Sequence, residues 1–541
     1  MFDAIRKNPE SPSTSAVIDR ATGSEVSVGQ VIPRRRWAAM LGIFSAVFLA
    51  NVAMVLPAAL SGVIQSSLHT SGSQLSWISA IFFIPTAALE LTFGVVGDLV
   101  GRKRLLIIGT LVLALGDGIG MLAGSVTVLM IGQAVAGVGA AVLFPTSLAA
   151  VAVLTPDPRS RARGIAMWTM AMAIGAAAGP AISGAIGLHA SFHWAYAVVF
   201  VAALVCAVIS VIGMPDSRAP EGRGLDIGGQ ITFAVALTAI LFGVIQGANG
   251  GYGSPPIIAC LAGGAVLLVV FVTIEFRVRF SLINTELFRS LTYSGAALIG
   301  LINAVGFFGY NYSVSIRIGV IQGQDSLTVG LASTIQVAVP LLLWPVFDRF
   351  LYRIAPRWVM VGGLSAMAIS QFWLAATPIG DRFLLDLAPS LLLAGFGFVA
   401  VVSSTSACMV DVPATKEGIA SGTINMARDT GAAIGIAAIG AIALGTAGSA
   451  LPGFLATFGV SGKALAIVDK INAAGGPIAV AHADIGPISA RSIPAAQNAL
   501  WHGFSLGSVW CGVFSVVSIV IALFMIRVRA LKRRPDDEVA V

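Results

Sequence analysis

The sequence predicts an all-α integral membrane protein with fourteen spans, and three observations carry that prediction. Of 541 residues, 57% are hydrophobic and 11% are charged, and the mean hydropathy is +0.91. A soluble domain carries roughly 25% charged residues. Fourteen apolar runs reach the length of about 20 residues that a membrane-crossing helix needs. Finally, 26 of the 32 Lys and Arg residues fall in alternate gaps between those runs or in the two tails, which is the positive-inside pattern.

Taken in chain order, residues 1–37 are polar, Pro- and Ser-containing and of mixed charge, and read as a disordered tail. A signal peptide would place its apolar stretch nearer the start, so the first run is expected to be retained as an anchor. The runs are 38–64, 75–97, 105–124, 126–154, 164–187, 193–214, 228–247, 256–276, 292–315, 327–347, 358–378, 387–410, 418–449 and 500–526. Glycine, at 61 residues, lies mostly inside them, as expected where helices associate in lipid through small residues. The tail carries Arg6, Lys7, Arg20 and Arg34–Arg36, and the same side receives Arg102–Arg104, Arg159, Arg161, Arg163 and the basic C-terminal segment 527–541. Both termini are therefore expected in the cytoplasm. Arg317, Arg382, Lys463, Lys470 and Arg491 fall on the opposite side. The long segment 450–499 is expected outside, with weak helical character near Lys463–Asn472 and no catalytic constellation.

Several function classes are disfavoured by the same reading. The net charge of +7 could suggest nucleic acid, but the arginines punctuate loops and form no single patch. Cys206, Cys260, Cys408 and Cys511 are scattered in apolar runs, with no CxxC or Cys/His cluster, so neither a disulfide framework nor a metal site is suggested. No GxxxxGK[ST] motif occurs, which leaves ATP drive in this chain unsupported. No cofactor is expected and the chain does not read as an enzyme.

The gap after the second run reads Gly94-Val-Val-Gly-Asp98-Leu-Val-Gly101-Arg102-Lys103-Arg104. Asp98 closes one helix, three cations open the next, Gly101 permits the tight turn and Gly94 would let a partner helix approach. This segment resembles the signature loop of the major facilitator superfamily, GxLaDrxGrkr, and an acid–base cluster of this kind can latch two helical bundles. In the fifth run, Gly175-Ala-Ala-Ala-Gly179-Pro180-Ala-Ile-Ser183-Gly184 resembles the GxxxGPxxGG motif of that superfamily's antiporters. Glycines four apart make a flat contact face, and Pro180 bends the helix. Generic small-residue packing is the alternative, as at Gly431 and Gly435.

The resemblance covers residues 38–526 and implies two six-helix bundles, 38–214 and 292–526, with two further helices inserted within 215–291. That arrangement is similar to the fourteen-span drug:proton antiporter branch, as are Leu225-Asp226-Ile-Gly228 and Glu286-Leu-Phe288-Arg289 beside the insertion. Asp348-Arg349 through Arg357 looks like a worn second copy of the signature loop, the internal repeat that a rocking transporter requires.

Two elements depart from that branch. Gln133 stands where the fourth span usually carries a proton-linked arginine, and the first span, Asn51 to Pro57, lacks the usual aspartate. Ionisable residues inside spans are costly and few, so the proton carrier is sought among them. Glu90, on the face of Gly94 and Asp98, is the first candidate. Asp117, in a span that is often peripheral in this superfamily, is the second. Arg428 lies within the thirteenth run and could meet a buried carboxylate, an anionic substrate or a structural partner. Trp77, Phe82, Phe83, Phe307, Phe308, Tyr310 and Tyr312 could line a cavity for flat organic compounds, or could simply pack.

The expected function is proton-coupled efflux of hydrophobic or cationic small molecules, in a cell membrane of the bacterial inner-membrane type. A narrow-specificity metabolite or lipid exporter, a facilitator without proton coupling and, last, a non-transporting sensor are the alternatives. The expected partners are a small-molecule substrate, protons and the bilayer, with no nucleic acid, and the working unit is read as a monomer.

Overall fold

The computed structural model describes residues 16–18, 25–27, 33–155, 158–215, 226–278, 283–342, 354–380, 383–407, 412, 417–483 and 485–527. Among these residues seventeen α-helices carry the fold. They are α1 (Pro33–Ala59), α2 (Ser61–Leu68), α3 (Gly72–Ala80), α4 (Phe83–Val100), α5 (Arg102–Met121), α6 (Val126–Leu154), α7 (Pro158–His189), α8 (Phe192–Gly213), α9 (Ile227–Gly250) and α10 (Pro255–Arg277). The second part of the chain gives α11 (Leu291–Ser315), α12 (Ser326–Leu342), α13 (Pro356–Ala376), α14 (Phe383–Ala407), α15 (Glu417–Thr457), α16 (Lys463–Ala481) and α17 (Ser489–Met525). A π-helical turn, Ile316–Ile321, continues α11.

Local chemistry sets several helix starts. Ser71 and Gln74 form a reciprocal capping box at α3. Asp226 accepts from Gly229 N (2.8 Å) at α9, and Ser290 accepts from Tyr293 N at α11. Within the tail read as disordered, Ala16–Ile18 and Glu25–Ser27 pair as a short antiparallel ladder, and α1 already begins at Pro33, a favoured first helical residue.

The described residues of all fourteen apolar runs lie mainly on helices, and twelve stretches among them are long and apolar enough to cross a membrane. The runs 327–347 and 387–410 fall on α12 and α14, whose apolar stretches Ser326–Ala338 and Leu385–Phe398 are shorter than a full span. Parts of both runs lie outside the described residues, as do Asp348–Arg353 of the second loop copy. Among the described residues, twelve helical stretches thus qualify by length and composition as spans. Large apolar side chains face outward on these helices, including Ile212 (69% exposed) on α8 and Phe276 (71% exposed) on α10. Such a surface suits lipid, and the chain is a multi-pass membrane protein.

In the first part of the chain α1 packs on α6, α7 and α8, α5 packs on α6 and α8, and α4 packs on α6. In the second, α11 packs on α15 and α17, α13 packs on α14 and α17, and α12 packs on α14. Two seams join these sets: α7 against α12, and α4 against α15. The inserted helices α9 and α10 pair with each other, and α9 lies along both α4 and α15.

The segment 450–499 is more ordered than its composition suggests. The continuation of α15, α16 and the start of α17 occupy nearly all of it. Lys463–Asn472 is helical as expected, and the helix runs on past a break at Gly476 (φ 73°) to bury Ile478 and Val480.

Candidate functional site

Glu90 lies two turns along α4 from Phe83, at the seam with α15, and is 3% exposed. Asn425 on α15 donates its Nδ2 to Glu90 Oε1 at 3.5 Å, a long contact, and Oε2 has no hydrogen-bond partner among the described residues. One turn further along α15, Arg428 Nε stands 3.6 Å from Asp429 Oδ1. Both charged groups are within electrostatic reach of Glu90. Asp429 is itself 4% exposed. The structure thus brings two sequence-derived candidates, Glu90 and Arg428, together across the seam and adds Asp429 to them.

This group holds two buried carboxyls and one guanidinium whose side chain is 24% exposed. A single cation can balance only one carboxylate, and an uncompensated buried charge is strongly unfavourable. The arrangement can therefore exchange a proton or a cationic group without breaking charge balance. Asp429 was legible in principle, because an acid directly after a base inside an apolar run is rare.

A row of aromatic side chains runs from α4 across α11 to α14. Phe83 on α4 meets Phe308 on α11 edge-on at 5.1 Å, Phe308 meets Phe307 at 5.5 Å, and Phe307 stacks on Phe398 of α14 at 4.0 Å. Tyr312 and Tyr310 are committed elsewhere, to Ser76 (2.9 Å) and Ser390 (2.6 Å). Trp77 and Phe82 are buried packing residues.

Asp117 is fully buried on the inner face of α5, a helix whose other face exposes Ile108, Leu111 and Leu115. Neither of its carboxyl oxygens has a hydrogen-bond partner among the described residues. Gln133, in the position of the family's arginine, donates to Tyr196 Oη at 2.9 Å. Asp117 belongs to the α5–α6–α8 layer and does not join the Glu90 group.

In the signature loop Gly101 adopts φ 110°, the left-handed region that favours glycine, as its place in the turn requires. Arg102 donates to Ala149 O at 3.2 Å, tying the start of α5 to α6. Lys103 is half-buried and Arg104 exposed, and the side chain of Asp98 lies outside the described residues. The role given to Gly94 is corrected: a Cβ there would lie an ordinary 3.6 Å from Pro145 Cβ, so no helix approach depends on its being glycine.

The antiporter-like motif sits on both sides of α7. A Cβ at Gly175 would come within 2.6 Å of Phe48 O, and one at Gly179 within 2.9 Å of Val55 Cγ2, so these two glycines admit α1. Gly184 admits α12 instead, where a Cβ would collide with Ser326 O. Proline opens the carbonyls preceding it in a helix, and Thr334 of α12 donates to Ala177 O, one turn before Pro180, at 2.8 Å.

Beyond this seam the two parts of the chain also meet at the end opposite the signature loop. Ser61 and Ser315 hydroxyls lie 2.9 Å apart, Ser315 donates to Ala58 O, Ser326 donates to Gly184 O at 2.7 Å, and Gly62 lies under Gly319.

Comparison with known proteins agrees with this architecture. Residues 39–312 match the Major Facilitator Superfamily. The multidrug efflux pump LfrA of Mycolicibacterium smegmatis is 27% identical over 414 residues, 76% of this chain and 81% of the relative. The tetracenomycin C resistance and export protein of Streptomyces glaucescens is 23% identical over 509 residues, covering 93% and 94%. The methyl viologen resistance protein SmvA of Salmonella typhimurium is 24% identical over 376 residues, covering 69% and 76%. Among solved structures, a bacterial homolog of the human lysosomal transporter Spinster, inward-facing and occupied, aligns with a TM-score of 0.64 at 12% identity, over 93% of this chain and all of that one. The match to the family spans half of the sequence, the fold is shared along nearly all of it, and the chain belongs to the Major Facilitator Superfamily.

Proposed function

We propose that the protein is a proton-coupled exporter of hydrophobic or cationic small molecules, built on the fourteen-span plan of two six-helix bundles, 38–214 and 292–526, with α9 and α10 inserted between them. Its relatives' names, a multidrug efflux pump and an antibiotic resistance and export protein among them, support the substrate class. The tight α7 contacts at Gly175, Gly179 and Gly184 support the antiporter motif. The signature loop would latch the bundles on the cytoplasmic side, with both termini there and 450–499 outside.

The observation that carries the reading is the group of Glu90, Asn425, Arg428 and Asp429 on the α4–α15 seam. With Arg428 balancing one carboxylate, the second either holds a proton or attracts a cationic substrate, so the two ligands exclude each other. Entry of one proton down the membrane potential supplies about 2.3 kcal/mol per 100 mV, and the pH gradient adds to it. Glu90 is the proposed carrier, because it alone of the acidic pair projects from the first bundle and an alternating cavity between bundles would wet it from each side in turn. Asp117 is the secondary candidate. The Phe83–Phe308–Phe307–Phe398 row is the proposed apolar lining for flat substrates.

The test uses proteoliposomes loaded with a fluorescent dye substrate. Glu90→Gln keeps shape and hydrogen bonding but cannot release a proton, so uphill pH-driven transport should be lost while substrate exchange persists. Wild-type uphill transport in Glu90→Gln would sink this assignment. Gln133 in place of the family's arginine favours one second reading, a facilitator without proton coupling. In that case the wild-type protein itself would show exchange and no response to an imposed pH gradient.

A further inference from the structure

The two seams between the parts of the chain differ in what lies over them. α9 runs along both α4 and α15, and Gln230 on α9 donates to Ala88 O of α4 at 3.3 Å. α10 packs on α9 in turn. Among the described residues neither inserted helix has a comparable contact with α7 or α12. The α4–α15 seam is therefore screened from lipid by an added helix, and the α7–α12 seam is not.

The seams also close to different depths. α7 and α12 run antiparallel and touch turn by turn: a Cβ at Gly184 would collide with Ser326 O, one at Gly330 with Pro180 O, and Thr334 donates to Ala177 O at 2.8 Å. Continued toward the signature-loop end, the same two faces present Ala173 and Met170 on α7 and Ala338 and Leu342 on α12. Helices in contact there would bury Met170 and Leu342, yet these are 53% and 77% exposed. The helices have parted. Between Arg163 and Ile174 only Gly164 and Trp168 of α7 are buried, both against α6. A Cβ at Gly164 would lie 2.7 Å from Val151 Cγ1, and Trp168 donates to Ser147 Oγ at 2.8 Å. The α4–α15 seam is still closed near the start of α15 at Glu417, where Gly422 abuts Leu91.

We infer that the α7–α12 seam is a lateral entrance for apolar small molecules dissolved in the bilayer, and that the inserted pair α9–α10 closes the other seam to them. The substrate class rests on the exporter reading above. Met170 lies two turns beyond Arg163 in the span Arg163–His189, roughly 10 Å deeper along the helix. That depth is within a hydrocarbon layer about 30 Å thick, so a molecule reaches the cleft from lipid. Met167, Met170, Ile174 and Leu342 border it, all exposed. Thioether side chains are flexible and polarisable and adapt to aromatic ligands of different shape, which suits flat organic compounds. The cleft leads between the two parts of the chain, whose closed seam carries Glu90. One-sided entry gives the insertion a function: a molecule that enters past α7 meets the Glu90 group at a seam through which it cannot leak back to lipid.

The experiment uses the full-length protein in proteoliposomes and an aryl-azide derivative of a lipophilic rhodamine dye, with labelled positions located by peptide mass spectrometry. Label displaceable by excess unmodified dye should concentrate on Met167–Ile174 and be absent from α4 and the α9–α10 pair. Met170→Trp narrows the cleft from an exposed position. It should raise the KM for dye efflux about tenfold while leaving kcat and the thermal midpoint near wild type. Ile212→Trp, on the outward face of α8, is the control and should leave all three unchanged. Displaceable label on α4 or α15 in place of α7, or spread evenly over the outward-facing helices, would overturn the entrance. An unchanged KM in Met170→Trp would overturn it too. Labelling needs no transport, so a wild-type protein that labels on α7 yet pumps no dye would lose the exporter reading and keep the entrance.

Discussion

Glu90 and Asp429 approach Arg428 from opposite sides of the α4–α15 seam, and their consequences separate by substitution. Asp429→Asn leaves Arg428 with Glu90 as its one buried anion. The Glu90 carboxylate should then be held by that pair, and uphill dye transport should fall at least tenfold at neutral pH. It should recover in part in Asp429→Asn/Arg428→Gln, where the cation that holds Glu90 ionised is gone as well; removing one member of a buried pair costs more than removing both. A double variant no better than the single one would show that the three charges do not act together. Glu90 was legible in the sequence, because a carboxylate eight residues before a loop motif must lie well inside a span. Arg428 was legible as a charge without a destination. Asp429 was passed over, because its meaning depends on which helix faces it, and one helix's sequence carries no record of its neighbour. Arg317 was misplaced for a related reason: the apolar Ile-Gly-Val-Ile that follows it continues α11 as a π turn and draws the arginine inside.

At the scale of one helix, α7 shows why its glycines are not interchangeable with those of α4. Gly175 faces a backbone carbonyl of α1, Phe48 O, which cannot swing aside, whereas Gly94 has 3.6 Å of clearance. Gly175→Ala should therefore destabilise the fold by about 1–3 kcal/mol, the usual range for forcing volume into a packed interface, and reduce efflux with it. Gly94→Ala should be neutral or slightly stabilising, since alanine is the better helix former by roughly 0.5–1 kcal/mol. Thermal melting and vesicle efflux of both variants check the contrast, and an inactive, destabilised Gly94→Ala would refute the clearance argument. Apolar length marked the long spanning helices, but it merged α1 with α2 and α3 with α4 and pointed to α16 only near Lys463–Asn472. The order in 450–499 escaped notice because Ala- and Gly-rich stretches have weak patterning. Burial of Val468, Ile478 and Val480 becomes visible only once α16 is seen against α17 and α3.

For the whole molecule, alternating access requires that the junction opposite the signature loop break and re-form. Among the described residues the hydrogen bonds that span it are few: Ser61 with Ser315, Ser315 with Ala58, Ser76 with Tyr312, and Ser326 with Gly184. At about 1 kcal/mol net for each bond, they contribute a few kcal/mol, the range in which two conformations of one protein can both be populated. Ser61 and Ser315 place their hydroxyls 2.9 Å apart, so cysteines at the two positions are well placed for a disulfide. Of the native cysteines, Cys206 and Cys511 are buried and Cys260 is partly so, and replacing all four by alanine or serine supplies the background. In that background Ser61→Cys/Ser315→Cys should cross-link under mild oxidation, stop dye efflux from proteoliposomes, and regain it on reduction. Each single cysteine should transport throughout. Efflux that continues at the full rate through the cross-linked protein would mean that this junction does not open during transport. The two parts of the chain would then not rock about the α4–α15 and α7–α12 seams, and the route past Glu90 would have to open by movement of single helices.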